Sequence, residues 1–189
     1  MEVIKKSSPH ALVMPFPAQG HIIPLMEFSH CLIDHGFRIT FVTTEFCHHL
    51  ITAAAAAMPK TSGEDGGGQI RLVTIKDWMT PGENRGDVSK LFQSTSEMMP
   101  QALEELIIGN LNDSEEDDGG GKITCIITDG SMAGAVPIAQ KMGIPTIALW
   151  PASATSLALV SQIPSLIQDG IINPDDMLVG PVSSDRWAS

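Results

Sequence analysis

A histidine and an aspartate, each placed after an apolar run, are the residues of this sequence best suited to move a proton. His21 lies in the segment Pro15-Phe-Pro-Ala-Gln-Gly-His-Ile-Ile-Pro24, which follows the apolar run from Ala11 to Met14. Asp129 ends a second apolar run, which begins at Ile123. An imidazole can accept a proton from a hydroxyl, and a carboxylate on its far side fixes the tautomer and stabilises the imidazolium. Such a pair requires the fold to bring the two residues together.

The surroundings of each residue also permit a plainer interpretation. His21 falls in the first turn of a predicted helix, where unpaired backbone N–H groups and the positive end of the helix dipole favour anions. Gly20 has no Cβ, so the backbone there can approach a ligand closely. The alternative for this segment is a surface turn with an incidental histidine. The alternative for Asp129 is a turn or helix N-cap position, for which aspartate is favoured, and this role does not exclude pairing with His21.

Strands and helices that alternate along the chain are expected to position these residues. The predicted strands are His10 to Phe16, Phe37 to Thr44, Ile70 to Ile75, Ile123 to Thr128 and Thr146 to Trp150. The predicted helices are Ile22 to His35, Glu45 to Met58, Val88 to Gly109, Met132 to Met142 and Ser153 to Ile167. This alternation predicts an α/β fold with a Rossmann-like, doubly wound parallel sheet. In the common strand order 3-2-1-4-5, ligands bind where the first and fourth strands end, which is where His21 and Asp129 would meet.

Composition excludes several classes of partner. The 189 residues carry a formal net charge of −11, which argues against nucleic acid or an anionic membrane surface as the main partner. No apolar run approaches the ~20 residues of a membrane-spanning helix. The three cysteines are an odd number without a CxxC pair, which favours a reducing, cytoplasmic location over a disulfide framework.

The sequence gives little support for a metal site, a dinucleotide-binding site or an esterase site. Cys47-His48-His49 lacks a second ligand cluster at a recognisable spacing, so no metal site is predicted. No G-x-G-x-x-G follows the first strand, which disfavours a dinucleotide site of the usual kind. No G-x-S-x-G is present, so an esterase nucleophile is not supported.

Two segments resemble plant UDP-dependent glycosyltransferases. The first is Pro15-Phe-Pro-Ala-Gln-Gly-His-Ile-Ile-Pro-Leu25, followed by Phe37-Arg-Ile-Thr-Phe-Val-Thr-Thr-Glu-Phe46. The second is Ile126-Ile-Thr-Asp129, followed by Met142-Gly-Ile-Pro-Thr-Ile-Ala-Leu-Trp-Pro-Ala152. The combination is specific, although each segment alone would be weak.

The resemblance implies a GT-B fold, in which an N-terminal Rossmann-like domain binds the acceptor and a C-terminal one binds the UDP-sugar. It implies inverting transfer without a metal or other cofactor, with His21 as the general base and Asp129 as its partner. The acceptor would be a small apolar molecule with a hydroxyl, such as a flavonoid, phenolic or terpenoid. Gly20 and Trp150 would line the acceptor pocket, and Gln19 would contact the donor.

The chain also departs from this family. The donor segment that contains His-Cys-Gly-Trp-Asn is absent. Pro151 stands where many members carry a threonine that touches the donor sugar, so the candidates for that contact are Ser153, the first choice, and Thr155. We therefore expect an incomplete acceptor-binding domain over residues 1–172, an irregular tail over 173–189 and no donor-binding domain. The isolated chain is then expected to be inactive, and the alternative is a non-catalytic small-molecule-binding or interaction module with the same fold.

Overall fold

The computed structural model describes residues 8–57, 70–76, 79, 82–112, 122–132 and 134–173. Apart from residue 173, the predicted irregular tail lies outside the described residues. The described strands are β1 (His10–Met14), β2 (Arg38–Thr44), β3 (Ile70–Ile75), β4 (Cys125–Asp129) and β5 (Thr146–Leu149). The described helices are α1 (Gln19–Asp34), α2 (Glu45–Ala57), α3 (Val88–Asn112), α4 (Ala135–Lys141) and α5 (Ala154–Gln168).

The five strands form one parallel sheet in the order β3-β2-β1-β4-β5. The predicted fold class and strand order are therefore confirmed. Met14 at the end of β1 pairs with Thr128 of β4, so Asp129 lies at the carboxyl edge of the sheet beside the start of the β1–α1 connection. The first and fourth strands are neighbours, and the chain changes direction between them.

Apolar side chains on alternate strand positions form a core on each face of the sheet. On one face, Val13 and Phe41 pack with Leu25 of α1 and Cys47 of α2. On the other face, a cluster that includes Leu12, Met14, Val42 and Ile126 receives Met99, Leu103 and Ile107 of α3 and Ala135 and Ala139 of α4. Burial on both faces accounts for strands that read as continuous apolar runs rather than alternating ones.

Several predicted boundaries are corrected by the structure. Helix α1 begins at Gln19 and not at Ile22, and its N-cap Ala18 makes no side-chain hydrogen bond. Because the usual N-cap side chain is missing, the sequence carries no signal for this start. Helix α4 begins at Ala135 rather than Met132, since the Met132 amide is held in a turn by the Asp129 carbonyl at 2.9 Å. Helix α1 ends at the C-cap His35, and the next residue, Gly36, has a φ of 82° and donates a hydrogen bond from its amide to the Ile33 carbonyl.

The chain divides into two compact units. The first, Met1–Pro151, contains the sheet and helices α1 to α4, and the second, Ala152–Ser189, contains α5. The predicted 1–172 domain spans the first unit and most of the described part of the second. None of the described helices is long and apolar enough to cross a membrane.

Candidate functional site

The first turn of α1 fixes the backbone of His21. The Ala18 carbonyl accepts hydrogen bonds from the amides of His21 at 2.9 Å and Ile22 at 3.0 Å, which closes the turn. Ile22 is buried against the sheet, whereas Gln19 and Gly20 are exposed. Burial of Ile22 therefore anchors the turn, and the preceding residues face solvent.

The end of β4 fixes Asp129, whose side chain is fully buried. One carboxylate oxygen, Oδ1, accepts a hydrogen bond from the Ser131 amide at 2.8 Å. Such a bond from an aspartate to the amide two residues on stabilises a turn. The plainer interpretation of Asp129 as a turn residue is thus confirmed for this oxygen, and the second oxygen remains for another partner.

His21 is that partner. Its Nδ1 lies 2.7 Å from Asp129 Oδ2, and its side chain is 31% exposed. An ionised carboxylate only accepts hydrogen bonds, so Nδ1 is the donor in this contact, and the neutral imidazole then has its lone pair on Nε2. The convergence predicted from the strand order is therefore present in the structure. A buried carboxylate that orients a partly exposed imidazole is an arrangement that can deprotonate a hydroxyl.

Aromatic rings pack beside this pair, and sequence reasoning missed them. The Phe16 ring lies 5.1 Å from the His21 ring at an angle of 55°, and the Phe92 ring of α3 lies 6.3 Å from Phe16. Phe16 lies in the short connection between β1 and α1, so it is close to the histidine along the chain. The position of Phe92 was not predictable, because no local pattern indicates which face of α3 reaches this edge. The Phe16 ring limits the orientations open to the imidazole, and Phe92 packs behind it.

Gly130 and Trp150 pack closely against each other on the β4 side. The Gly130 amide donates to the Leu149 carbonyl at 2.8 Å. A Cβ on Gly130 would lie 2.8 Å from Cε3 of Trp150, which is closer than real contacts allow. The predicted contact of Trp150 with an acceptor stays a prediction, but its indole is held directly beside the residue that follows Asp129.

Two further predicted site residues, Gly20 and Ser153, lie at the starts of helices. Gly20 lies in α1 without a positive φ, and a Cβ there would meet nothing within 4 Å, so no backbone strain requires a glycine. Its predicted approach to a ligand stays a prediction. Ser153 belongs to the second unit, where its side chain caps α5 by accepting from the Ser156 amide at 3.2 Å. Its predicted contact with a donor sugar is a separate hypothesis.

A groove of about 570 Å³ opens beside the start of α1. Its lining is mainly apolar and comes from α1, α2, α3 and the connections before α1 and α3: Pro17, Ala18, Gln19, Ile22, Ile23, Phe46, Cys47, Ile51, Arg85 and Leu91. The Arg85 guanidinium lies 3.9 Å from the centroid of the Phe46 ring. Sequence reasoning missed this pair, because nothing local links a loop arginine to the first turn of α2.

The described residues do not indicate metal ligation, and Cys125 is not suited to act as a nucleophilic thiol. The described residues contain no group of three or more histidine, cysteine or acidic side chains placed to hold a metal ion. Cys125 begins β4, at the opposite end of the strand from Asp129. Burial raises the pKa of the Cys125 thiol, and a hydrogen bond with the Thr124 side chain offsets part of this rise. A raised pKa disfavours the thiolate, which is the nucleophilic form.

Sequence comparison finds related plant proteins. The chain is 41% identical over 169 residues to UDP-glycosyltransferase 83A1 of Arabidopsis thaliana, an alignment that covers 88% of this chain and 35% of that protein. It is 34% identical over 171 residues to (R)-mandelonitrile beta-glucosyltransferase of Prunus dulcis, covering 89% of this chain and 34% of that protein. No protein-family model matches the chain. The chain thus spans about a third of the length of the curated relatives it matches.

Comparison with solved structures also finds glycosyltransferases. A UDP-glucose: anthocyanidin 3-O-glucosyltransferase in complex with UDP superposes with a TM-score of 0.65 and 25% identity, over 88% of this chain and 34% of that chain. Arabidopsis thaliana UGT89C1 complexed with UDP-L-rhamnose superposes with a TM-score of 0.62 over 82% of this chain and 39% of that chain. At 16% identity, the second match supports the fold alone.

Proposed function

Because this chain belongs to the plant UDP-glycosyltransferase family, we propose that it supplies the acceptor side and the general base of an inverting sugar transfer. The observation that carries this proposal is the 2.7 Å contact between His21 and the buried carboxylate of Asp129 at the carboxyl edge of the sheet. A base of this kind needs an accessible lone pair and a fixed tautomer, and the pair provides both.

In the proposed reaction, the acceptor hydroxyl gives its proton to Nε2 of His21 while its oxygen attacks the anomeric carbon of a UDP-sugar. The bond from that carbon to the diphosphate oxygen breaks, and UDP leaves with the electron pair. Attack from the opposite face inverts the anomeric centre. Asp129 stabilises the imidazolium and does not itself receive the substrate proton. His21 and Asp129 supply this proton transfer without a metal ion, and the UDP-sugar is a co-substrate.

We propose a small apolar molecule with a hydroxyl, such as a flavonoid, phenolic or terpenoid, as the acceptor. The apolar lining of the groove beside α1 supports this class, since most small-molecule sites are concave and largely apolar. Gly20 and Trp150 are proposed to contact the acceptor, and Gln19 and Ser153 the donor. The odd number of cysteines, none of them in a disulfide in the part of the chain that the structure describes, favours a cytoplasmic location.

We predict that a polypeptide of residues 1–189 transfers no measurable sugar from UDP-glucose. The chain corresponds to about a third of its relatives, and catalysis needs both reactants in near-attack geometry, a term worth up to ~7–11 kcal/mol. Incubation with UDP-glucose and a panel of flavonols and phenolics, followed by mass spectrometry, tests this. Glucoside that disappears with His21→Ala would contradict the prediction and would mean that these residues also hold the donor.

The catalytic proposal is tested by joining this chain to the remaining portion of UDP-glycosyltransferase 83A1, the 41% identical relative. His21→Ala in the fusion should lower kcat by ~10²–10⁴-fold with a small effect on acceptor binding, since it removes a general base. His30→Ala, an exposed histidine on the same helix, is the matched control and should leave kcat unchanged. Near-full turnover by the His21 variant would reject His21 as the base.

A non-catalytic binding module is the second candidate. The observation in its favour is the largely apolar groove of about 570 Å³ beside the start of α1, which can hold a small molecule without any reaction. Acceptor binding by the 1–189 polypeptide, together with a fusion that is inactive whether or not His21 is present, would support this candidate over the first.

A further inference from the structure

We propose that Arg85 makes the groove beside α1 a subsite for a carboxylate carried by an apolar acceptor. Among the described residues that line the groove, Arg85 alone is charged. A guanidinium stays protonated at any working pH and presents several N–H donors in one plane. The inference rests on the proposed function only in treating the molecule in the groove as the acceptor.

The Phe46 ring positions the guanidinium. At 3.9 Å from the ring centroid, the cation lies over the face of the aromatic ring, and the side chain of Arg85 is partly buried. Cation–π contact of this kind favours a defined orientation of the planar group. The ring occupies one face of the guanidinium, whereas a carboxylate is recognised through the N–H groups at its edge. The two contacts are therefore compatible.

Because the chain is negatively charged overall, an anion can bind in the groove only if a positive group there attracts it. The chain carries a formal net charge of −11, so its overall field repels anions. Within the apolar groove, a charge-assisted hydrogen bond is stronger than at an open surface because fewer waters compete for it. An acid should therefore bind more tightly than its neutral ester only if it reaches Arg85.

Several residues that line the groove are close in sequence to His21, the proposed base. Its lining includes Gln19 and Ile22, the residues on either side of Gly20 and His21 in α1, and Leu91, the neighbour of Phe92. A ligand whose carboxylate lies at Arg85 has an apolar body against Ile22 and Ile23. The preferred acceptor is then a hydroxylated apolar acid, with its reacting hydroxyl at a distance from its carboxylate.

Equilibrium binding of 4-hydroxycinnamate and its methyl ester to the 189-residue chain tests the proposal, since the two probes differ in the carboxylate charge. We expect the acid to bind about tenfold more tightly than the ester, a difference that one charge-assisted hydrogen bond can supply. Arg85→Met should remove this preference, Arg85→Lys should retain part of it, and higher ionic strength should reduce it. Lys90→Met, which makes the same charge change at an exposed residue outside the lining, should leave the preference intact.

A second variant locates the bound probe. Ile23 is 51% exposed and lines the groove, so Ile23→Trp should fill it and weaken both probes without disturbing the core. Equal binding of acid and ester, no measurable binding of either, an unchanged preference in Arg85→Met or unchanged binding in Ile23→Trp would each overturn the proposal. If His21→Ala does not lower kcat in the fusion while the chain still prefers the acid to the ester, the proposed base is rejected and the carboxylate subsite is retained.

Discussion

The β1–α1 and β4–α4 connections lie side by side at one edge of the sheet, yet their surroundings are opposite. The first is open: Gln19 and Gly20 are exposed, a Cβ on Gly20 would meet nothing within 4 Å, and the His21 side chain is 31% exposed. The second is closed: the Asp129 side chain is fully buried, and Gly130 is packed against Trp150. The pair of proposed catalytic residues thus joins an accessible connection to a protected one.

This difference matches what each residue of a base–carboxylate pair requires. A base must reach the substrate, so its connection has to leave space beside it. A carboxylate that orients the base acts more strongly where water does not screen it, but a buried charge is costly unless it is paired and hydrogen-bonded. Asp129 meets this condition through the imidazole at 2.7 Å and the Ser131 amide at 2.8 Å.

The largest effect is expected from Asp129→Asn in the fusion. An amide nitrogen placed at Oδ2 would donate to Nδ1 of His21, which moves the ring proton to Nε2 and removes the lone pair needed to accept the substrate proton. The amide oxygen at Oδ1 would still accept from Ser131, so stability should change little. We expect kcat to fall by at least ~10²-fold, measured as turnover alongside thermal denaturation.

Asp129→Ala is the matched comparison for this variant. It should cost less turnover than His21→Ala, because Asp129 supports the base and does not take the proton itself. It should also lower stability by ~1–3 kcal/mol, since the Ser131 amide loses its acceptor. Wild-type turnover in Asp129→Asn would show that Asp129 has only a structural role, in the turn of the β4–α4 connection.

The sequence predicts the meeting of His21 and Asp129, and the reason is topological. Each follows a buried strand, and the strand order of a doubly wound sheet makes those strands neighbours. The open or closed character of each connection was not predictable. It depends on packing between distant side chains, such as Trp150 against Gly130, which leaves no local periodicity. The start of α1 was not predictable either: the helix begins at Gln19, which places Gly20 in its first turn without a positive φ.

A smaller effect is expected at the closed connection from Gly130→Ala. The added Cβ would lie 2.8 Å from the Trp150 ring, so the indole or the turn must move. Overpacking of this kind typically costs ~1–3 kcal/mol, measurable by urea denaturation followed by circular dichroism. Gly134→Ala is the control, because its Cβ would meet only the flexible end of Met99 at 3.2 Å and a ring carbon of Pro100 at 3.8 Å. Equal stability of the Gly130 and Gly134 variants would show that the β4–α4 connection is not tightly closed.

The smallest effect is expected at the open connection. Gly20 lies in the first turn of a helix with open space at its Cβ position, so Gly20→Ala should raise stability by up to ~0.5–1 kcal/mol, the difference between the two residues in a helix. Gly20→Val should leave the melting temperature almost unchanged for the same reason. Any loss of acceptor affinity in the valine variant is then attributed to contact with the ligand, because the Cβ position of Gly20 is open in the protein itself. Thermal denaturation and binding of 4-hydroxycinnamate, measured on the same samples, separate the two effects. A melting temperature several degrees lower with unchanged affinity would mean that the β1–α1 connection is packed rather than open, and that Gly20 has a structural role.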